Sequence, residues 1–340
     1  MNLLEPWILF RLVAGLVAAA LFVRAAWVGT RVLKYFHLRS TAEGQLALER
    51  QIELAATSAR VGAVIQVGAL WLSIVAADRL TATIRGAMCG YGVVHANAYG
   101  APSIVATIAA ALAAGVELQV LALDRATRSL ALVRPLAYFA IGLAALSLVD
   151  LSLSGWWLGT LDMSVVASCC STGIDAAASA LERGHTAGPR VLVAIAAAVL
   201  VPLATIAALV ASRRAKRGSV ALSGALAAFA LPVGVAAIIL EVAPYVYEVP
   251  HHRCPYCLFK ADALYLGYPL FAAAFLAFVW GVGAGVAALL AKADGVAEPF
   301  APFARRLLRR EAVAWALAFA LAAAPIVRYA IVAPGASLFR

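Results

Sequence analysis

Long apolar runs recur along the 340-residue chain, and the short segments between them carry most of its charge. A run of about 20 apolar residues crosses a bilayer as an α-helix, because the helix satisfies its own backbone hydrogen bonds. The pattern predicts an all-α fold, a polytopic membrane helix bundle forming one integral membrane domain over residues 1–340. The predicted spans are roughly 7–30, 60–77, 101–123, 135–153, 190–211, 219–242, 269–291 and 312–333.

Two further stretches have a helical pattern but too many charges to be spans. Residues 38–58 alternate apolar and charged positions and predict a cytoplasmic amphipathic helix. Residues 296–311 predict a basic segment at the membrane surface. The first span is interrupted by Arg11 and Arg24, and we expect both side chains to reach towards the nearer interface.

Composition agrees with a membrane protein, since 64% of the residues are apolar and 13% are charged, against about 25% charged in soluble proteins. The net charge of +10 reflects orientation rather than nucleic-acid binding. One set of loops contains 17 Lys and Arg residues and the opposite set 8. The positive-inside rule makes the first set cytoplasmic and places both termini on the outer side. The expected location is a cell inner membrane, with multiple passes and the lipid bilayer as partner.

The predicted outer loops, at 78–100, 154–189 and 243–268, comprise about a quarter of the chain. Cysteine otherwise behaves as a small buried hydrophobe and would often lie inside spans. Here the outer loops contain all five cysteines and four of the five histidines. These residues are Cys89, Cys169, Cys170, Cys254, Cys257, His95, His185, His251 and His252.

Cys254 and Cys257 have the two-residue spacing of a reversible dithiol, and Pro255 suits the first position of a helix. A sulfur at the helix N-cap, beside Arg253, is expected to have a lowered pKa. The spacing therefore predicts that Cys254 is the attacking or metal-facing sulfur and that Cys257 resolves. Cys169 and Cys170, with Cys89, are expected to form a second sulfur site that acts together with the Cys254–Cys257 pair.

A weak repeat links three of the cysteines. Cys89, Cys170 and Cys254 are each followed three residues later by Gly or Cys and then by an apolar residue, and each precedes an odd-numbered span. Each motif is expected to begin a short helix. The repeat predicts that Cys89, Cys169 or Cys170 lies within reach of the Cys254–Cys257 pair. A disulfide needs Cα atoms within about 7 Å. His251 or His252 is expected to line the same cavity.

The four residues Cys254, Pro255, Tyr256 and Cys257 resemble the glutaredoxin active site. A dithiol at the outer end of a span, with more cysteines in another outer loop, resembles disulfide-forming quinone reductases and vitamin K epoxide reductase-like enzymes. Those enzymes are four-helix proteins, whereas this sequence predicts eight helices and contains an adjacent cysteine pair. The resemblance implies a quinone as electron acceptor.

Three functions are consistent with these residues. The first is a thiol–disulfide or electron-transfer protein acting on a periplasmic thiol or electron-transfer partner; as an enzyme it would be a thiol–disulfide oxidoreductase. The second is a protein that binds or transports a soft metal such as copper or zinc. Its candidate ligands are His251, His252, Cys254, Cys257 and His95. The third is a structural subunit with disulfide staples. The cofactor is left open between a quinone and a soft metal ion.

Two features inside the predicted spans bear on other activities. Glu117 is an intramembrane carboxylate, which is a functional candidate for a proton or ion path and equally a residue that reaches the interface. Gly281, Gly283 and Gly285 are small residues that let helices approach, and their spacing does not form a nucleotide-binding loop.

Overall fold

A computed structural model describes residues 5–36, 43–84, 86–127, 130–162, 187–250, 252–293, 295–335 and 338–339. Over these residues the regular structure is entirely helical, and eight helices are long and apolar enough to cross a membrane, which confirms the predicted fold class. The α-helices are α1 (Pro6–Tyr35), α2 (Glu43–Arg79), α3 (Gly90–Val94), α4 (Gly100–Thr127), α5 (Val133–Gly159), α6 (Ala187–Arg214), α7 (Arg217–Ala237), α8 (Ala243–Tyr247), α9 (Gly267–Leu290) and α10 (Ala297–Val332).

Two of the spans are longer than the sequence pattern indicates. The amphipathic segment predicted at 38–58 is continuous with the second span from residue 43, in the single helix α2, while residues 38–42 lie outside the described residues. The basic segment predicted at 296–311 is likewise the first part of α10. No proline separates the two parts of either helix at the predicted junction, so nothing in the backbone ends the first part.

The chain divides into two compact units. That residues 1–340 form one integral membrane domain stays a prediction. The first unit comprises Met1–Leu80, Val94–Met163 and Val286–Phe303. The second comprises Thr81–Val93, Ser164–Gly285 and Ala304–Arg340. Each unit has its own core and is described separately below.

In the first unit, α1 packs against α2 and α5, and α4 packs against the same two helices, so the four form a closed ring. Alanine, leucine and phenylalanine fill part of its interior, at Ala18, Phe22, Ala114 and Leu143. Small residues let the helices approach. A Cβ atom at Gly29 would lie 3.1 Å from the carbonyl oxygen of Ala137.

Arg11 lies inside this ring and does not reach the interface, so the prediction for this residue is wrong. Its side chain is fully buried, and its Nη2 lies 2.7 Å from Oδ1 of the equally buried Asp150. Arg11 Nε also donates a hydrogen bond to Ser73, and Nη2 donates one to Ser154. A guanidinium that finds a carboxylate and hydroxyls inside the bundle need not reach water. Arg24, on the same helix, is exposed.

Asp150 collects hydrogen bonds from all four helices of the unit. Besides Arg11 on α1, its carboxylate accepts hydrogen bonds from Thr107 on α4 and from Nε2 of Gln66 on α2, the latter at 2.8 Å. Ser154 donates from within α5. One carboxylate therefore joins every helix of the ring, and a buried ionised group of this kind is stable only when it is partnered in this way.

The second unit builds its core from α6, α7, α9 and α10, with Ala227, Leu270, Ala277 and Trp315 among the buried side chains. Helices α7 and α9 meet through glycine, as the sequence predicts. A Cβ atom at Gly224 would lie 2.8 Å from the Cα atom of Gly285. These glycines therefore serve close helix contact.

A second buried carboxylate, Glu311, lies beside this contact, although the sequence assigned it to the basic surface segment. It is fully buried, accepts a hydrogen bond from Ser223 at 3.2 Å, and its Oε1 would lie 2.7 Å from a Cβ atom at Gly281. The position is open to a carboxylate because residue 281 has no side chain.

Beyond α7 the backbone widens into a π-helix, Ile238–Val242, before α8 begins. Pro244 has no N–H to donate to the carbonyl of Leu240, which removes one regular helical hydrogen bond at this point. The N–H of Ala243 instead bonds to the carbonyl of Ile238. Short π-helical turns of this kind are frequent at functional sites, and this one carries Glu241.

Candidate functional site: a cluster of three sulfurs

Two of the three predicted cysteine motifs begin a short helix. Cys89 directly precedes α3, and the N–H of Gly92 donates a hydrogen bond to the carbonyl of Cys89 at 3.0 Å. Cys254 is the N-cap of a 3₁₀-helix, Pro255–Phe259, with Pro255 at its first position. The repeat is therefore confirmed in local structure for these two motifs. The third motif, at Cys170, lies outside the described residues.

These two helix starts bring their sulfurs together. The Sγ atoms of Cys89 and Cys254 are 3.4 Å apart, and the Sγ atoms of Cys89, Cys254 and Cys257 all lie within 4.8 Å of one another. The predicted approach of Cys89 to the dithiol pair is confirmed. We call this group the three-sulfur cluster.

Exposure differs across the three-sulfur cluster. Cys254 is 0% exposed and Cys89 is 2% exposed, whereas Cys257 is half-buried. Tyr91 and Tyr256, which occupy equivalent positions in the two motifs, pack against the sulfurs. The cluster therefore has an inner pair enclosed by aromatic rings and one sulfur nearer the surface.

The groups around the cluster are held mainly uncharged. Burial lowers the pKa of His252 from its usual 6.5, and the nearby Cys89 only partly opposes this effect. His252 is therefore neutral at pH 7. Burial also raises the pKa of Tyr256, and the thiolate forms of Cys254 and Cys89 would raise it further. A neutral imidazole beside thiols can accept a thiol proton.

His252 is positioned by contacts that the sequence analysis did not identify. Its ring stacks on Tyr247, with centroids 4.1 Å apart, and its Nε2 is buried without a hydrogen-bond partner among the described residues. The Tyr247 hydroxyl donates a hydrogen bond to the carbonyl of Cys257 at 2.8 Å. Tyr247 thus ties the histidine to the dithiol turn. In the sequence, Tyr247 is an aromatic residue flanking the motif, a pattern that is also typical of anchors at the membrane interface.

The helix that begins at Cys254 is too short to lower the pKa of this thiol strongly. The helix that Cys254 caps is only five residues long, and no side-chain hydrogen bond forms at its cap. A macrodipole grows with the number of aligned peptide units. This short helix therefore offers little stabilisation to a thiolate at Cys254.

Other predicted site residues lie elsewhere. His95 is exposed and belongs to the first unit. Cys169, Cys170 and His251 fall outside the described residues. Among the described ligand atoms, the group that lies within 4.8 Å consists of the three Cys Sγ atoms. Of the five candidate residues that the structure describes, it brings the sulfurs of Cys89, Cys254 and Cys257 together, and His252 lies within electrostatic range of Cys89.

The second unit also contains a cavity of about 350 Å³. Its walls are mostly apolar and come from α6, α7, α9 and α10, including Val201, Gly234 and Phe319. At one end it is lined by Glu241 and Tyr245. The volume lies within the range of small-molecule sites, and the lining combines apolar walls with a few polar groups, as such sites do.

A polar residue of this cavity interacts electrostatically with the motif that carries the cysteines. Glu241 pairs with Arg190 at 3.4 Å, and Arg253, the residue before Cys254, lies within electrostatic range of Glu241. Tyr245, which lines the cavity, packs edge-on against Tyr329.

Comparison of the chain with protein-family models, with curated proteins and with solved structures found no match.

Proposed function

We propose that the protein is a thiol–disulfide oxidoreductase of the membrane, with the three-sulfur cluster as its redox centre. The observation that carries this proposal is the mutual approach of Cys89, Cys254 and Cys257 to within 4.8 Å, with two sulfurs buried and one half-buried. Thiol–disulfide exchange requires an attacking thiolate and both sulfurs of a disulfide. Three sulfurs in one cluster meet that requirement within a single chain.

The exposure gradient favours a specific order of exchange. A partner thiolate attacks Cys257 in a Cys254–Cys257 disulfide, so that a mixed disulfide forms and the Cys254 thiolate leaves. The partner's second thiol then displaces Cys257, which yields a partner disulfide and two cluster thiols. Alternatively, Cys89 thiolate attacks Cys254 in the same disulfide and releases Cys257 thiolate. The disulfide then joins Cys89 and Cys254, the buried pair, whose Sγ atoms lie 3.4 Å apart in the structure.

In this order the partner thiolate reacts first with Cys257. The sequence instead predicts Cys254 as the sulfur that reacts first. The reason is access, because Cys254 is 0% exposed and a protein partner cannot reach it directly. His252 accepts a proton from a thiol, since its lowered pKa keeps the imidazole neutral.

Equilibrating the purified protein in thiol–disulfide buffers is expected to show one reversible disulfide among Cys89, Cys254 and Cys257. Its reduction potential should lie above about −300 mV, since structural disulfides lie below that value. Rapid alkylation followed by peptide mass spectrometry measures the linked pair at each potential. Cys257→Ala should abolish exchange with a protein dithiol while a Cys89–Cys254 disulfide still forms with a small oxidant.

A control for the Cys257 substitution is Ser152→Ala, which changes an exposed hydroxyl of the first unit and should leave every potential unchanged. The redox proposal would be overturned if the three thiols stay reduced at every potential. It would also be overturned if their disulfide has a reduction potential below about −300 mV, in the range of structural disulfides.

We propose a membrane quinone as the electron acceptor, held in the 350 Å³ cavity of the same unit. The Cys89 and Cys254 thiols lose two electrons and two protons as their S–S bond forms, and the quinone carbonyls gain both to give a quinol. The support is the cavity's apolar lining, which suits an isoprenoid tail, and the polar groups at its Glu241 end, which suit a carbonyl-bearing ring.

Soft-metal binding is the second candidate function, favoured by the same sulfur geometry. In trigonal coordination at about 2.3 Å, three thiolate ligands lie about 4 Å from one another. The three Sγ atoms lie within 4.8 Å of one another, so small side-chain shifts would bring them to that spacing. Thiolate ligands select copper(I) and zinc.

Adding copper(I) or zinc to the reduced protein tests this second function. If the cluster is a metal site, one equivalent should bind, protect all three cysteines from alkylation and release protons, because thiolates are the ligands. Mass spectrometry of the intact protein counts the metal. Binding that survives Cys89→Ser would exclude a three-sulfur site.

A further inference from the structure

The first unit contains a small cavity lined by all four of the helices that form its ring. Its volume is about 50 Å³, and a buried water needs about 10–15 Å³. The cavity can therefore hold a few water molecules. Its lining is apolar, from residues such as Val28, Ala56 and Leu136, except for Glu117 and Asp124.

The two carboxylates lie on one face of α4, seven residues apart, which is about 10 Å at 1.5 Å per residue. Glu117 is 1% exposed, whereas Asp124 is half-buried at the end of α4 that carries Arg125. Asp124 thus lies nearer the surface and Glu117 deeper in the unit.

Each carboxylate has one oxygen without a partner. Glu117 Oε2 and Asp124 Oδ1 are buried and accept no hydrogen bond among the described residues. Buried polar atoms are rarely left in this state unless water, an ion or a proton satisfies them. Glu117 differs from Asp150 in the same unit, whose carboxylate is bonded by Arg11, Gln66 and Thr107.

The charges around the cavity do not neutralise Glu117. Helices α1 and α5 line it with apolar side chains only. Arg60 on α2 lies within electrostatic range of Asp124, and Arg125 lies within range of Arg60. The positive charge is therefore near the surface end, beside Asp124.

A metal cation is a poor occupant of this cavity. Hard cations take six or more oxygen ligands, whereas the lining supplies side-chain oxygens only from two carboxylates about 10 Å apart along the helix. A proton needs one carboxylate oxygen and a water to deliver it. An ionised carboxylate without a partner is costly in apolar surroundings, and protonation removes that cost.

We propose that Glu117 is a proton-binding site that exchanges with water through this cavity, past Asp124. A proton from the bulk solvent is relayed by the cavity water, which accepts one proton as it donates another, to the unpartnered Glu117 Oε2 and returns by the same route. This function does not depend on the sulfur chemistry, since every residue involved belongs to the first unit.

Infrared spectroscopy of the full-length protein in lipid tests this proposal. The protonated-carboxyl C=O band of the wild type should lose intensity as pH is raised and should shift in D₂O. Glu311, also a fully buried glutamate, can contribute to the same band, so the variants are compared in a Glu311→Gln background. There, Glu117→Gln should remove the band, while Glu53→Gln, at an exposed carboxylate of α2, should not. A band of equal intensity with and without Glu117→Gln, or no band before that substitution, would overturn the assignment.

Access through the cavity is tested separately. Ala56→Leu places a larger side chain in the cavity wall and should slow deuterium exchange of the band, whereas Ala47→Leu, exposed on the same helix, should not. Equal exchange rates in the two variants would refute the cavity route. If Glu117→Gln does not fold, Asp124→Asn should keep the band and change its exchange rate; an unchanged rate would also refute that route.

Discussion

Replacing Arg11 by leucine is expected to lower the free energy of unfolding by about 3–5 kcal/mol, because the Asp150 carboxylate then remains buried without its charged partner. The guanidinium also donates to Ser73, Thr107 and Ser154, and those hydroxyls lose a donor at the same time. Denaturant unfolding in detergent micelles, followed by circular dichroism, measures the change.

Two variants separate the ion pair from a general effect of losing an arginine. Arg24→Leu removes an exposed charge from the same helix and should change the stability little. Arg11→Leu combined with Asp150→Leu removes both charges and should recover most of the loss. If the double variant is less stable than Arg11→Leu alone, the pair is not what makes this position sensitive.

Filling the cavity of the second unit is expected to abolish oxidation of the cluster by a short-chain quinone. Gly234→Leu is the sharpest variant, because a Cβ atom there meets only Val201, at 3.9 Å, so the longer side chain extends into the cavity without a clash. Anaerobic mixing of reduced protein with the quinone, followed by absorbance, measures quinol formation.

The control is Gly218→Leu, on the same helix, where an added Cβ atom has nothing within 4 Å and the position is exposed. Gly234→Leu should still form its disulfide in thiol–disulfide buffers, so failure of the quinone step is distinguishable from failure of the redox centre. Equal quinol formation in the two variants would exclude the cavity. No quinol from a wild type that still exchanges disulfides would instead indicate a soluble acceptor, with lipid in the cavity.

Much of the fold follows from patterns that depend only on local sequence. The eight spans are visible because each apolar run must satisfy its own backbone hydrogen bonds in lipid. The approach of Cys89 to Cys254 was predictable because a repeated motif and the alternation of spans place both on one side. Local helix starts at both cysteines then follow from Pro255 and from the similar position of Gly90.

What the sequence could not supply is the rotation of each helix about its axis. Arg11 could face lipid or the ring, and only packing against Gly15 and the other helices decides between them. Asp150, an opposite charge in another predicted span, was the signal that a partner existed. Glu311 directly follows a segment rich in arginine, which predicts a surface position. Its burial depends on Gly281, thirty positions earlier.

The pairing of Cys89 with Cys254 joins positions 165 residues apart, which has a consequence for biogenesis. Four of the eight spans lie between Cys89 and Cys254 in the sequence. Cys89 is therefore synthesised well before Cys254 and Cys257. At about 5–20 residues per second, that interval is on the order of 10–30 s. Throughout it, an early thiol has no native neighbour and is open to wrong bonds with oxidants or other chains. If the three-sulfur cluster acts as proposed, Cys89 must therefore stay reduced until Cys254 and Cys257 have been synthesised.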